Sequence, residues 1–225
     1  MNILCFDTCF NKSYIVLSQN EKILKSKIIE SDDRNYHSAY LISEIRNILA
    51  DCNLFIKDLE AIGINTGPGS FTGVRAGVTI ARVFCQQFNI KLLGISSLEI
   101  LSYLNKEKTH TTVISDARKN KVYFGEYESG IEITAPCLKE KDELLSCIKK
   151  NSTVISDNSL YNFLSENGIK SLQYELSNEN FALYLNSIVQ NRLKQSIDDY
   201  NWAKVKPLYL QKPSISKPKE KINVL

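Results

Sequence analysis

Gly67-Pro68-Gly69-Ser70-Phe71-Thr72-Gly73-Val74-Arg75-Ala76-Gly77 is the stretch around which this chain is organised. Ahead of it, Ala61-Ile62-Gly63-Ile64-Asn65-Thr66 is an apolar run of strand length. Behind it, Val78 to Cys85 is apolar and free of proline. The reading is a strand, a tight glycine turn and a buried helix. Gly67 and Gly69 permit positive φ and the close approach of another backbone or a phosphate. Pro68 fixes its own φ and holds Thr66-Gly67 extended. Ser70 is the expected N-cap, and the N–H groups of such a helix start attract anions. No Lys-Ser/Thr follows the glycines, so this is not a Walker A loop, and G-x-G-x-x-x-G is one residue longer than the dinucleotide fingerprint. Gly73, Gly77 and Ala81 fall four residues apart on one helix face. That face either packs closely on the protein's own sheet or meets a partner. On the second reading Gly77→Leu blocks association and leaves the fold intact.

The chain has 225 residues, 43% of them hydrophobic and 24% charged, which is the balance of a globular protein with room for one large domain or two lobes. A net charge of +3 is too slight to indicate nucleic-acid binding. No apolar run approaches the ~20 residues of a membrane span. The start, Met1 to Asp7, reads directly as a strand and lacks the features of a signal peptide, so a cytoplasmic location is expected. The six cysteines form no C-x-x-C pair and read as reduced thiols. His37 and His110 are the two histidines, and neither belongs to an H-x-x-x-H pair, so no metal site is expected.

Taken in order, 3–7, 14–17 and 23–29 read as a β-meander with Asn at the turns. Tyr40, Leu41, Ile45, Ile48, Leu49 and Cys52 form a helical stripe with Ser38 as its cap. The central strand and helix follow, then a strand over 91–95 and a helix from Ser97 to about Leu104. The second half repeats the order: strands over 111–115, 122–127 and 131–138, a helix over 139–150, a strand over 152–156, a helix over 160–164, a strand within 169–176 and a last helix through Phe181, Leu185, Ile188, Val189 and Leu193. βββαβαβα therefore appears twice. The expected division is a first lobe over 1–106, a reduced second lobe over 107–203 and a Lys/Pro-rich segment over 204–225. In that last segment Pro207-Leu208-Tyr209-Leu210 docks as an extended piece, and a mobile tail lies beyond Pro213. The six Lys of 204–225 are either solvated or in contact with RNA phosphates.

Each half opens with a strand that ends in Asp, at Asp7 and Asp116. In an actin-like ATPase such positions point into the cleft between lobes and handle phosphate and Mg²⁺. Other roles suit the same residues. Asp7, followed by Thr8, also suits a turn that accepts backbone N–H bonds. Arg75 either caps or pairs with an acidic strand end or binds an anion beside Gly67, Gly69 and Ser70. Arg118 either pairs with Asp116 or touches phosphate.

Gly67 to Arg75 resembles the signature of the bacterial TsaB (YeaZ) family. Phe6-Asp7-Thr8, His37-Ser38 with Leu41, Ser115-Asp116-Ala117-Arg118, Val122-Tyr123, Glu126-Tyr127 and Pro207-Leu208-Tyr209-Leu210 resemble further segments of it. Ala39-Tyr40 departs from the family, which commonly has an acidic residue first. The resemblance implies the actin-like fold. It also implies a non-catalytic subunit that forms a heterodimer with the related, metal-holding TsaD, and a TsaE-type ATPase joins them in a ternary complex. That complex places threonylcarbamoyl on adenosine of tRNA, so this chain meets tRNA indirectly, and alone it forms a homodimer. The expected docking surface comprises the helices near 37–52 and 71–88, with His37, Tyr40, Leu41, Gly73, Val74, Gly77 and Ala81. No cofactor and no membrane contact are implied.

The residues themselves argue against phosphotransfer. Six of the nine glycines lie between Gly63 and Gly94, so the second half has no glycine-rich loop for an adenosine. Ser156-Asp157-Asn158-Ser159-Leu160 stands at that place without glycine, and Asp7-Thr8-Cys9-Phe10 lacks one as well. No H-E-x-x-H and no Ser/His/Asp triad can be assembled. The competing reading is a small actin-like ATPase that works through Asp7, Asp116 and the glycine turn.

Overall fold

Along the first strand, β1 (Asn2–Asp7), Leu4 and Phe6 enter one core cluster and Ile3 and Cys5 another, as the two-residue period of a strand requires. All four are buried, so helices must cover both faces of the sheet, and its central strands read as nearly continuous apolar runs. A computed structural model describes residues 1–30, 36–107, 109–175, 180–195 and 199–211, with the side chains of 36–39 outside that description.

β2 (Ser13–Gln19) and β3 (Lys22–Ile29) extend β1 as an antiparallel meander. β4 (Ala61–Asn65) and β5 (Lys91–Ile95) pair parallel on its other side, in the order β3-β2-β1-β4-β5. α1 (Tyr36–Asp51) and α2 (Phe71–Phe88) close over one face, around Leu4, Phe6, Ile45, Ile62 and Val78. α3 (Ser97–Ser102) follows β5. The second half contains β6 (Thr111–Asp116), β7 (Lys121–Glu128), β8 (Ile131–Glu140), α4 (Leu144–Cys147), β9 (Thr153–Ser156), α5 (Asn158–Glu166), β10 (Ser171–Gln173) and α6 (Phe181–Gln195). Its sheet runs β10-β9-β6-β7-β8, which is the first order repeated with the same strand directions. The expected duplicated, two-lobed α/β architecture of the actin-like fold is present.

Packing crosses between the halves. α6 lies on β1, β2 and β4 of the first sheet, while α3 lies on β6 and β7 of the second. Over β4 the approach is tight, and a Cβ on Gly63 would stand 2.5 Å from Val189 Cγ2. Asn186 of α6 accepts the Ser18 hydroxyl of β2 at 2.8 Å. Arg192 of α6 holds the buried Glu99 of α3 through two bonds of 2.8 Å. Cys5, Tyr14, Leu98, Val113, Tyr127 and Phe181 thus belong to one core that joins both sheets.

Local expectations shift in three places. The helix expected over 139–150 shortens to a 3-10 turn at Lys141–Glu143 and the single turn of α4. The cause is β8, which stays paired with β7 out to Lys121↔Glu140, where a 2.7 Å ion pair supports it. α1 begins at Tyr36, so Ser38 sits inside it instead of capping it. Gly67 takes φ +94 instead of extended backbone, and its bond to Pro68 is cis. Residues 207–210 dock as expected, Leu208 N–H donating to the Thr66 carbonyl at 2.8 Å. The tail from 212 onward lies outside the described residues. Among those residues no helix is long and apolar enough to cross a membrane.

Candidate functional site

The glycine turn is filled by the chain itself. The β1–β2 hairpin lies across it, and Ser70 N–H donates to the Cys9 carbonyl at 2.7 Å. Ser70 caps α2 as expected, its hydroxyl accepting Gly73 N–H at 3.3 Å. A Cβ on Gly69 would stand 2.5 Å from the Cys9 carbonyl oxygen, and one on Gly73 only 1.8 Å from that of Thr8. These glycines admit the protein's own backbone. Gly67 serves differently, since its φ of +94 lies where other residues are strained.

Asp7 is fully buried at the centre of this arrangement. Its carboxylate accepts Cys9 N–H at 2.7 Å and the Asn65 amide at 2.9 Å. Asn65 in turn accepts Gly67 N–H and the Ser97 hydroxyl, each at 2.9 Å, so one side chain ties β1, the glycine turn and α3 together. Burial pushes the Asp7 carboxyl up to about 6, against the bonds from Asn65 and Cys9 that pull it down. Of the two roles open to Asp7, the geometry displays the turn role. Thr8 donates from its hydroxyl to the Gly73 carbonyl at 2.7 Å, which fastens the hairpin to α2.

The second acidic turn is built by other means. Arg118, Lys119 and Asn120 all take left-handed backbone, with φ +62, +52 and +58. Asp116 accepts the backbone N–H of Arg118 at 3.1 Å, and among the described residues it forms no ion pair with that guanidinium. Asp157 caps α5 by accepting Leu160 N–H at 3.1 Å, and it also accepts the Ser115 hydroxyl and Asp116 N–H. The place where an adenosine loop was sought is therefore a helix cap. Among the described residues Arg75 neither caps a helix nor pairs with an acid. Its guanidinium lies 4.0 Å from the Phe71 ring centroid, and its Nε donates to the Tyr209 hydroxyl at 2.7 Å.

Residues 23–210 match the family described as "TsaD: tRNA N6-adenosine threonylcarbamoyltransferase".

The chain belongs to this family.

Within it the chain is TsaB/YeaZ-like. It is 33% identical over 129 residues to the tRNA threonylcarbamoyladenosine biosynthesis protein TsaB of Bacillus subtilis, covering 57% of this chain and 56% of that protein. It is 26% identical over 166 residues to TsaB of Buchnera aphidicola subsp. Acyrthosiphon pisum, covering 69% and 71%. The chain thus spans only about half the length of several curated relatives that it matches, including the first. The solved structure titled "YeaZ from Pseudomonas aeruginosa" overlays with a TM-score of 0.77 at 19% identity, over 93% of this chain and 99% of that one. At that identity the overlay speaks for the fold alone.

In this TsaD-family chain the small-residue face of α2 turns inward. Gly73, Val74, Gly77 and Ala81 are buried, as is Leu41 of α1. A Cβ on Gly77 would stand 2.4 Å from Thr8 Oγ1. Close packing on the chain's own sheet therefore accounts for the four-residue spacing, and these five residues are not an outward docking face. The side chain of His37 lies outside the described residues. Of the expected interface residues whose side chains are described, Tyr40 alone is exposed, at 48%. The outer face of α1 presents Tyr40, Ser43, Asn47 and Ala50, and that of α2 presents Thr72, Arg75, Thr79, Val83 and Gln86. Arg75 is the one charged residue among these nine. This outer pair of faces escaped the sequence because small residues every fourth position mark close approach without saying to what. Asn65 was equally silent, although an amide at the end of a buried strand is a recognisable signal for a polar network.

Proposed function

We propose that this chain is a non-catalytic partner and activator of a TsaD homologue in tRNA N6-threonylcarbamoyladenosine formation. Docking uses the outer faces of α1 and α2. The observation that carries the reading is the occupied glycine turn: the backbone at Gly69, Ser70 and Gly73, which the ATPase reading needs open to an anion, is covered by Thr8 and Cys9 of the chain's own hairpin. The outer faces of α1 and α2, with Arg75 as their one charge, supply a surface of the kind that interfaces bury, where arginine is enriched and acids and lysine are depleted. A TsaE-type ATPase joins the pair, tRNA is met through the complex, the setting is the cytoplasm, and the isolated chain forms a homodimer. Size-exclusion chromatography with light scattering tests this directly, with the chain alone and mixed with the TsaD homologue of the same organism. A peak at the heterodimer mass, formed at the expense of any homodimer, is expected. Absence of a complex with and without ATP and Mg²⁺, or Mg²⁺-dependent nucleotide hydrolysis by the pure chain, overturns it.

A further inference from the structure

Among the described residues, the charges of the α1 and α2 face that have no ion-pair partner are all of one sign. α1 carries two acids, and both are turned away: Glu44 pairs with Lys27 and Asp51 with Lys25, on β3 at the edge of the sheet. Ile42 and Arg46, one turn apart, lie on the opposite flank of α1 and are exposed. α2 carries no acid at all between Phe71 and Phe88, and its charges are Arg75 and Arg82. Both are set in place by aromatic rings, Arg75 by Phe71 and Tyr209, and Arg82 by the Trp202 ring with its centroid 5.6 Å away. Among the described residues no carboxylate pairs with Arg46, Arg75 or Arg82.

We propose that the face formed by α1 and α2 is selective for a protein surface bearing Asp and Glu carboxylates, and that its arginines oppose its own self-association. The inference deepens the docking reading above and rests on it. A face whose unpaired charges share one sign steers a partner of the opposite sign. Two of the three guanidiniums, Arg75 and Arg82, already lie against aromatic rings and have less freedom to lose on meeting a carboxylate partner. A twofold homodimer through the same face brings the arginines of both copies onto one interface, where among the described residues the acids of α1 are already paired with Lys25 and Lys27. Salt must then act in opposite directions. It screens attraction in the heterodimer and repulsion in the homodimer.

Two measurements test this. In the first, association with the TsaD homologue is timed by stopped flow across salt, with the homodimer followed by sedimentation in the same buffers. Between about 0.05 and 0.5 M salt the heterodimer on-rate should fall on the order of tenfold while self-association strengthens. The Arg46→Glu/Arg75→Glu/Arg82→Glu variant should lose about as much on-rate at low salt. In the second, the full wild-type chain is mixed with that variant, whose reversed charges stand in for the carboxylate surface. The mixed dimer should form at low salt in preference to either homodimer. Should the variant fail to fold by circular dichroism, the triple Arg→Gln variant replaces it in the first measurement and should show roughly half the loss of salt dependence. A heterodimer that forms at a rate indifferent to salt and to charge reversal overturns this inference and leaves the docking reading standing. A wild-type homodimer that weakens with salt also overturns it. So does a variant that loses binding to added tRNA while its association with the TsaD homologue is unchanged. If no heterodimer forms at any salt, the docking reading itself falls.

Discussion

Gly77→Ala is the substitution that separates the inward from the outward reading of α2. In an exposed helix interior this change stabilises by about 1 kcal/mol. Here the new methyl stands 2.4 Å from Thr8 Oγ1 and 3.1 Å from Ile64 Cδ1. Thr8 Oγ1 has no free direction, since it donates to the Gly73 carbonyl at 2.7 Å in a buried setting. Relief means breaking that bond or moving the hairpin. An overpacked core costs about 1–3 kcal/mol, and a buried polar group left without its partner costs a further ~1–3 kcal/mol. Set against the helix gain, the net loss is roughly 1–5 kcal/mol. The second half of the experiment is Thr8→Ala. Without the hydroxyl the nearest remaining atom of residue 8 is its Cβ at 3.6 Å, an ordinary contact. The double variant should therefore be more stable than the sum of the single losses by about 1–3 kcal/mol. Gly73→Ala is the internal control. Its methyl meets the Thr8 carbonyl oxygen at 1.8 Å, a backbone atom that no side-chain change at residue 8 removes. Urea unfolding followed by circular dichroism, with m-values compared, reads all four variants. If Gly77→Ala is as stable as the parent, or if the cycle is additive, the hairpin does not press on α2 as described.

Three further outcomes follow from the polar interior. Asp7 binds its proton more tightly folded than unfolded, its carboxyl being raised to about 6, so its contribution to stability is present at low pH and is lost as pH rises from about 4 through 6. Asp7→Asn, which also sets an amide against the Asn65 amide, should hence be more damaging near pH 4.5 than near pH 7, by about 2 kcal/mol in urea titrations; parallel pH profiles would count against the buried carboxyl. Arg192→Ala removes the bidentate partner of buried Glu99 and should cost roughly 3 kcal/mol in the same assay, more than an exposed ion pair is worth; a loss below about 1 kcal/mol refutes it. Tyr209→Phe keeps the ring against Phe71 and removes only the hydroxyl that accepts from Arg75, so stability should change by about 1 kcal/mol or less; a larger loss by calorimetry would mean that the hydroxyl anchors the whole segment.

The architecture was legible because burial on both faces leaves apolar runs that only strands of a covered sheet display, and both halves contain them. Ser70 was legible because capping is local chemistry. The short α4 was not, since the stripe through Leu144 and Cys147 has helical period and only the pairing of β8 with β7 decides otherwise. The facing of Gly73 and Gly77 was undecidable from spacing, because a glycine every fourth residue serves any close neighbour. Arg75 was read as seeking an acid or an anion; its neighbours Phe71 and Tyr209 are 138 residues apart in sequence, a separation that local patterns do not span. How the charges divide between β3 and the outer helix faces became visible only when Lys25 and Lys27 were seen to claim Asp51 and Glu44.

The crossing of α6 onto the first sheet bears on how the chain acquires its shape during synthesis. When residues 1–106 have left the ribosome, β1, β2 and β4 are made, yet the helix that covers Ile3, Cys5, Tyr14 and Val16 is still untranslated. The notch left by Gly94, which Val205 fills, and the Thr66 carbonyl, which Leu208 satisfies, wait longer still. An N-terminal portion released early exposes an apolar sheet face to whatever it meets. The first lobe is begun first and completed last, and its sealing is the step that also fixes the second lobe beside it.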